Sequence, residues 1–265
     1  MTTTAPCRAE TQARPRSARR DTLTLVGRGF RLSSRNLDAL YTGLVLPVIL
    51  MVLFVEIFGG AVHAGIAYVD YVVPGVLLLC AGFVSAQTAV TVCHDMTGGM
   101  IDRLKSMDVS GAAVLCGHVV TGMLRNLISL IIALALSFAL GFRPHANPIE
   151  WVAATGILLL FIFAFSWLAA AIGLLAKSPE GAGNIVFAMI FLPYPSSAFV
   201  PINTMPAWIQ GFARHQPITP IVNTFRGLLL HTPTANAPLT AAIWCTGLLI
   251  ISIALAAALF RRQAA

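Results

Sequence analysis

Long apolar runs dominate the chain, and short polar segments separate them. Runs free of Asp, Glu, Lys and Arg cover residues 71–94, 126–142, 151–176, 181–213 and 227–260, and residues 40–69 hold one acid, Glu56. A charge at the centre of a bilayer costs about 2.5–3.5 kcal/mol on insertion scales, so these runs mark membrane spans. At about 20 helical residues per crossing, the pattern predicts helices near 40–62, 71–94, 114–141, 151–176, 182–202 and 238–260, with Arg125 and Asn126 interrupting the third. The expected fold is an all-α polytopic membrane protein with six transmembrane helices.

Ahead of the first run the pattern changes. Leu23, Val26, Phe30, Leu37 and Leu40 recur at helical spacing, with Arg28, Arg31 and Arg35 off that stripe. This predicts an N-terminal amphipathic interfacial helix whose arginines meet anionic lipid or a cytosolic partner. Residues 1–20 read as a basic cytosolic tail, and residues 21–265 as one transmembrane domain. No apolar stretch of leader length precedes Leu40, so a cleaved secretory leader is not expected.

Composition agrees. Of 265 residues, 57% are hydrophobic and only 10% are charged, where a soluble domain carries roughly 25% charged residues. That balance excludes a water-soluble globule and a disordered chain. The 17 Lys and Arg are unevenly placed: thirteen fall in residues 1–39, in the segments after the second and fourth runs, and in the tail, while Arg143, Arg214 and Arg226 lie on the other face. Positive charge stays inside, so both termini are expected in the cytoplasm, with the protein multi-pass in the cell membrane. Topology accounts for the net charge of +7, and no nucleic-acid partner is expected.

The five cysteines are odd in number, and the six histidines lie far apart. No pair has metal-site spacing, and there is neither a nucleophile elbow nor a phosphate loop. The expectation is no catalytic residue, no metal and no cofactor bound by this chain; any ATP and Mg belong to another subunit.

Two segments carry motifs. In the loop after the second run, Gly98 and Gly99 precede a short amphipathic stretch in which Met100, Ile101, Leu104 and Met107 share one face while Asp102, Arg103 and Lys105 point elsewhere. Such a stretch reads either as an ordinary interfacial loop or as a knob seated in a groove of a cytosolic motor. Further on, eight of the fifteen prolines fall between Pro193 and Pro238. Proline removes a backbone donor, so the fifth helix should break near Pro193. The stretches 208–213 and 218–230 are amphipathic and too short to span, which predicts re-entrant helices between spans 5 and 6.

These two segments give the chain its resemblance to the ABC-2 type permeases, in particular the transmembrane subunits of the daunorubicin-resistance exporter class. Residues Gly99 to Met107 carry one part of the match. The other comprises residues 196–201 (Ser-Ser-Ala-Phe-Val-Pro), with Phe199 and Pro201, then Met205-Pro206-Ala207-Trp208, Gln216-Pro217 and Arg226-Gly227-Leu228-Leu229. The resemblance implies a subunit that dimerises with itself or with a related permease and is driven by a separate or fused ATPase. It further implies that Gly99, Met100, Ile101, Asp102, Arg103, Leu104 and Met107 form the coupling helix. The implied cargo is lipophilic or amphipathic, a drug or a complex lipid. Asp108 stands where similar sequences carry proline, and His215 where asparagine is expected.

Glu56 is the single acid within an expected span. It either binds cationic substrate, pairs with Arg226, or reaches the outer headgroups. Arg125 faces a dimer interior or extends to the cytosolic interface. The competing class is a secondary transporter or channel, which would show several intramembrane acids or an internal inverted repeat; the chain has one such acid and no clear repeat.

Overall fold

The computed structural model describes residues 45, 48–58, 66–98 and 111–264. Among these residues there is no strand. The helices are α1 (Val48–Ile57), whose last turn is wound more widely over Phe54–Phe58, α2 (Tyr68–Thr97), α3 (Gly111–Ala139) and α4 (Pro148–Leu175). They continue with α5 (Pro179–Ile190), a short 3-10 turn at Ile202–Thr204, α6 (Ala207–His215), α7 (Ile218–Leu230) and α8 (Ala237–Ala264).

Local chemistry fixes several ends. Asn147 opens α4 with a reciprocal cap, in which its Oδ1 accepts from Glu150 N at 3.0 Å and Glu150 Oε2 accepts from Asn147 N at 2.7 Å. Pro148 follows at the first helical position, where a missing N–H costs nothing. At the start of α5, Ser178 Oγ accepts from Gly181 N at 3.1 Å without a return bond, and Pro179 again takes the first turn. Helix α7 stops at His231, which takes a left-handed conformation with φ 54°.

The apolar windows of α2 and α4 are 72% and 67% buried, against 17% for α8, so the first two form the centre and α8 lines the outside. Helix α4 packs between α2 and α8, α3 and α5 flank α2, and α7 lies across α2, α4 and α8. The main core joins Val72, Leu78 and Leu79 of α2, Phe161 and Ile162 of α4, and Ile218, Ile221 and Leu229 of α7. Outward positions are equally apolar: Ile131 of α3 is 60% exposed and Ile251 of α8 is 64% exposed. A surface this greasy belongs in lipid.

Four helices, α2, α3, α4 and α8, have the length and apolarity to cross a membrane, each with 26 to 30 residues in its apolar stretch. That is enough to cross the bilayer core with some tilt. The expected helix at 182–202 is corrected: α5 ends at Ile190 after 12 residues. The prolines at 193, 195 and 201 explain the early stop, since the chain turns tightly from residue 191, with Leu192 N bonding Met189 O and Tyr194 N bonding Phe191 O. The expected helix at 40–62 is described only as the ten residues of α1. The interfacial helix at 23–40 and the basic tail lie outside the described residues, as does the amphipathic loop that contains Gly99, Met100, Ile101, Asp102, Arg103, Leu104 and Met107.

Candidate functional site

The turn segment 191–201 has no regular ladder to satisfy its backbone, so side chains from α7 and from Gln216 just before it supply the partners. Gln216 Nε2 donates to Pro195 O at 2.6 Å, Thr219 Oγ1 accepts from Ser197 N at 3.2 Å, and Ser197 Oγ donates to Asn223 Oδ1 at 2.9 Å. Within the segment, Ser196 Oγ donates to Pro193 O and accepts from Ala198 N. Buried backbone groups need such partners wherever water is excluded.

Arg226 closes the arrangement. It is 5% exposed. Its Nη2 reaches Ser197 O at 2.6 Å, Ala198 O at 3.0 Å and Tyr71 O at 2.7 Å, and its Nε adds a second bond to Tyr71 O at 3.0 Å. The guanidinium also sits 3.5 Å over the Tyr71 ring centre. One side chain therefore ties α7, the turn segment and the start of α2 together. Pro74 lies inside the first turns of α2, where its missing N–H takes the helical donor from Asp70 O. Close approach also depends on Gly75, where a Cβ would stand 2.6 Å from the Cβ of Ala198.

The turn segment carries Phe199 inward. Phe199 is 2% exposed and stacks between Phe54 of α1 at 4.7 Å and Tyr194 at 5.3 Å. The series continues through Phe191, 5.5 Å from Tyr194, to Phe187, 5.0 Å further along α5. Tyr68 Oη donates to Phe199 O at 3.0 Å and fixes the buried end. The outer members, Phe187 and Phe191, are half exposed, so an aromatic row runs from the surface of α5 to the buried contact with α1.

Among the residues singled out from the sequence, Phe199 and Arg226 meet in this site, bridged by Ala198. Pro201 opens the adjoining 3-10 turn and accepts from Thr204 N. Met205 ends that turn and accepts from Gln210 Nε2 at 2.8 Å, Pro206 precedes α6, and Trp208 is 82% exposed on α6. These last three lie apart from the site, and none hydrogen-bonds to Arg226. Glu56 is exposed near the end of α1. It forms no ion pair with Arg226, whose guanidinium instead bonds the carbonyls of Ser197, Ala198 and Tyr71. Tyr68, Tyr71 and Asn223 were not singled out; the only sequence signal for them is a pair of tyrosines three residues apart just before Pro74.

The structure thus defines a multi-pass helical membrane protein with a proline-broken segment pinned over its central helices. The family model for the ABC-2 type transporter matches residues 20–230, and the chain belongs to that family. It is 28% identical over 211 residues to the daunorubicin resistance ABC transporter permease protein DrrB1 of Streptomyces coeruleorubidus, covering 78% of this chain and 71% of that protein. It is 26% identical over 218 residues to the probable doxorubicin resistance ABC transporter permease protein DrrC of Mycobacterium tuberculosis, covering 78% of this chain and 76% of the relative.

Proposed function

We propose that this chain is the membrane-spanning permease subunit of an ATP-driven ABC exporter that moves lipophilic or amphipathic compounds outward, drugs or complex lipids. The observation that carries the reading is the aromatic row ending at Phe199, held under a segment that Arg226 fastens to α2, in a chain of the ABC-2 family. Flat or apolar cargo finds stacking partners along such a row, and the fastening gives the outer end a defined closed state. Phe199 and Pro201, with Glu56 close by, line the outer end of the pathway. Met205, Pro206 and Trp208 shape an outer lip, where an exposed Trp suits the headgroup zone.

In this reading the chain crosses the bilayer six times, the two further crossings being the 40–62 region and the segment from α5 through the turn. Helices α6 and α7 are re-entrant from the outer side, and both termini are cytoplasmic. The chain works as a homodimer or with a second permease. A cytosolic ATPase carrying ATP and Mg grips Gly99, Met100, Ile101, Asp102, Arg103, Leu104 and Met107 and pushes on the N-terminal helix, so energy arrives through contact alone. Reconstitution in vesicles with and without candidate ATPases tests this reading. ATP-dependent extrusion of lipophilic cargo only with the ATPase present is expected. Uphill transport by the chain alone would establish a secondary transporter instead.

A further inference from the structure

Among the described residues, seven buried side-chain N or O atoms lack a hydrogen-bond partner, and six of them lie on the central helices: Thr88 Oγ1 of α2, Arg125 Nε, Asn126 Oδ1 and Ser129 Oγ of α3, and Ser166 Oγ and Trp167 Nε1 of α4. Two of them, Thr88 Oγ1 and Ser166 Oγ, face Gly122. A Cβ at Gly122 of α3 would stand 2.5 Å from Thr88 Oγ1 and 3.9 Å from Ser166 Oγ. Asn126, one turn further, donates to Ser85 Oγ of α2 at 3.0 Å and to Gly122 O at 3.3 Å. Arg125 and Ser129 are neighbours four residues apart on the same helix.

Arg125 lies about one turn from Gly122 on the same helix. It is 9% exposed and midway along a helix of spanning length. Among the described residues no carboxylate, carbonyl or hydroxyl pairs with it, and its Nε is buried without a partner. Burying a cation in that way is among the most costly arrangements a membrane protein can hold, and such residues mark functional sites by default. Ser129, one turn further along the same helix, adds a hydroxyl whose Oγ is buried without a partner. A guanidinium and a hydroxyl both donate, and with one positive charge they match an oxyanion, which presents several acceptor oxygens and a compensating charge. Access is short, because Leu124 and Ile128, on the adjoining strip of α3, are 37% and 38% exposed toward the lipid side.

We infer that Arg125, with Ser129 beside it on α3, forms a mid-membrane binding site for the anionic headgroup, phosphate or carboxylate, of an amphiphilic cargo. The inference rests on the exporter reading and narrows its substrate class. Arg125 receives the charge while the apolar tail stays against the exposed face of α3, and Ser129 supplies a further donor.

The test compares wild type with Arg125→Gln and Arg125→Lys, using dioctanoyl phosphatidic acid, dioctanoylglycerol with the same tails and no phosphate, and inorganic phosphate. On the purified chain, phosphatidic acid should raise the melting temperature of wild type and not of Arg125→Gln, with Arg125→Lys between them. Without additive, Arg125→Gln should melt no lower than wild type, since it removes an unpaired buried charge. In the complex with its ATPase, the phosphatidic acid concentration giving half-maximal stimulation should rise tenfold or more in Arg125→Gln, while the dioctanoylglycerol response is unchanged. Equal responses of wild type and Arg125→Gln, or a variant that melts lower and loses both lipid responses together, would overturn the inference. A response reproduced by inorganic phosphate would overturn the cargo assignment in favour of a free-phosphate site. An Arg125-dependent melting shift with no stimulation of the ATPase would overturn the exporter reading while leaving the anion site standing.

Discussion

Arg226 lies flat over the ring of Tyr71, 3.5 Å from its centre, and two of its nitrogens bond the backbone carbonyl of that same tyrosine. The same guanidinium holds Ser197 O and Ala198 O. A residue 155 positions away in sequence thereby becomes the clasp between the start of α2 and the proline-broken segment.

Removing the clasp should be costly. Arg226→Gln leaves up to three buried carbonyls without their donor, a loss on the order of 3 kcal/mol. The expected outcome is a lower melting temperature in detergent and reduced export. Lysine keeps the charge but not the planar fork, so Arg226→Lys should recover only part of both. Wild-type behaviour of the glutamine variant would show that the segment is held by other means.

Gly75 and Ala198 form a steric pair. A methyl group at Gly75 would overlap that of Ala198, so Gly75→Ala should destabilise by about 1–3 kcal/mol through overpacking. The double change Gly75→Ala with Ala198→Gly should restore most of the loss. Additive losses in a double-mutant cycle of melting measurements would argue against direct contact.

Phe199 is buried in the middle of the aromatic row. Phe199→Ala should cost about 3–5 kcal/mol as a core truncation, whereas Phe199→Leu should keep most of the stability and lose the stacking. Export of a flat aromatic cargo should therefore fall several-fold in the leucine variant, with a non-aromatic lipid much less affected. Equal losses for both cargoes would reduce the row to a packing feature.

The cytosolic loop can be tested separately. Leu104→Asp places a charge in the middle of the apolar face formed with Met100, Ile101 and Met107. It should abolish cargo-stimulated ATP hydrolysis and weaken co-purification with the ATPase at least tenfold, without lowering the melting temperature of the isolated chain. Normal export by this variant would show that the loop is only a connector.

Hydrophobic runs alone located α2, α3, α4 and α8 to within a few residues, because exclusion of charge from hydrocarbon is a local, per-residue requirement. The same local chemistry announced the break near Pro193 and the two short helices beyond it, since a missing N–H acts on its own turn. It placed the end of α5 too late, because an uncharged run does not record where hydrogen bonding stops, and Ile190 to Phe199 is as apolar as a helix would be.

Which polar groups meet was decided only by the tertiary structure. From the sequence, Arg226 had Glu56 as an oppositely charged partner within reach; in the fold, carbonyls of the turn segment and of Tyr71 take it instead. Arg125 and Asn126 were legible as an interruption of an apolar run. That Thr88 and Ser166 stand against Gly122, one turn away, depends on three helices packing together there, and side-chain spacing along a single helix carries no record of its neighbours. Burial in lipid is written residue by residue, whereas polar partnership is a property of distances between segments far apart in the chain.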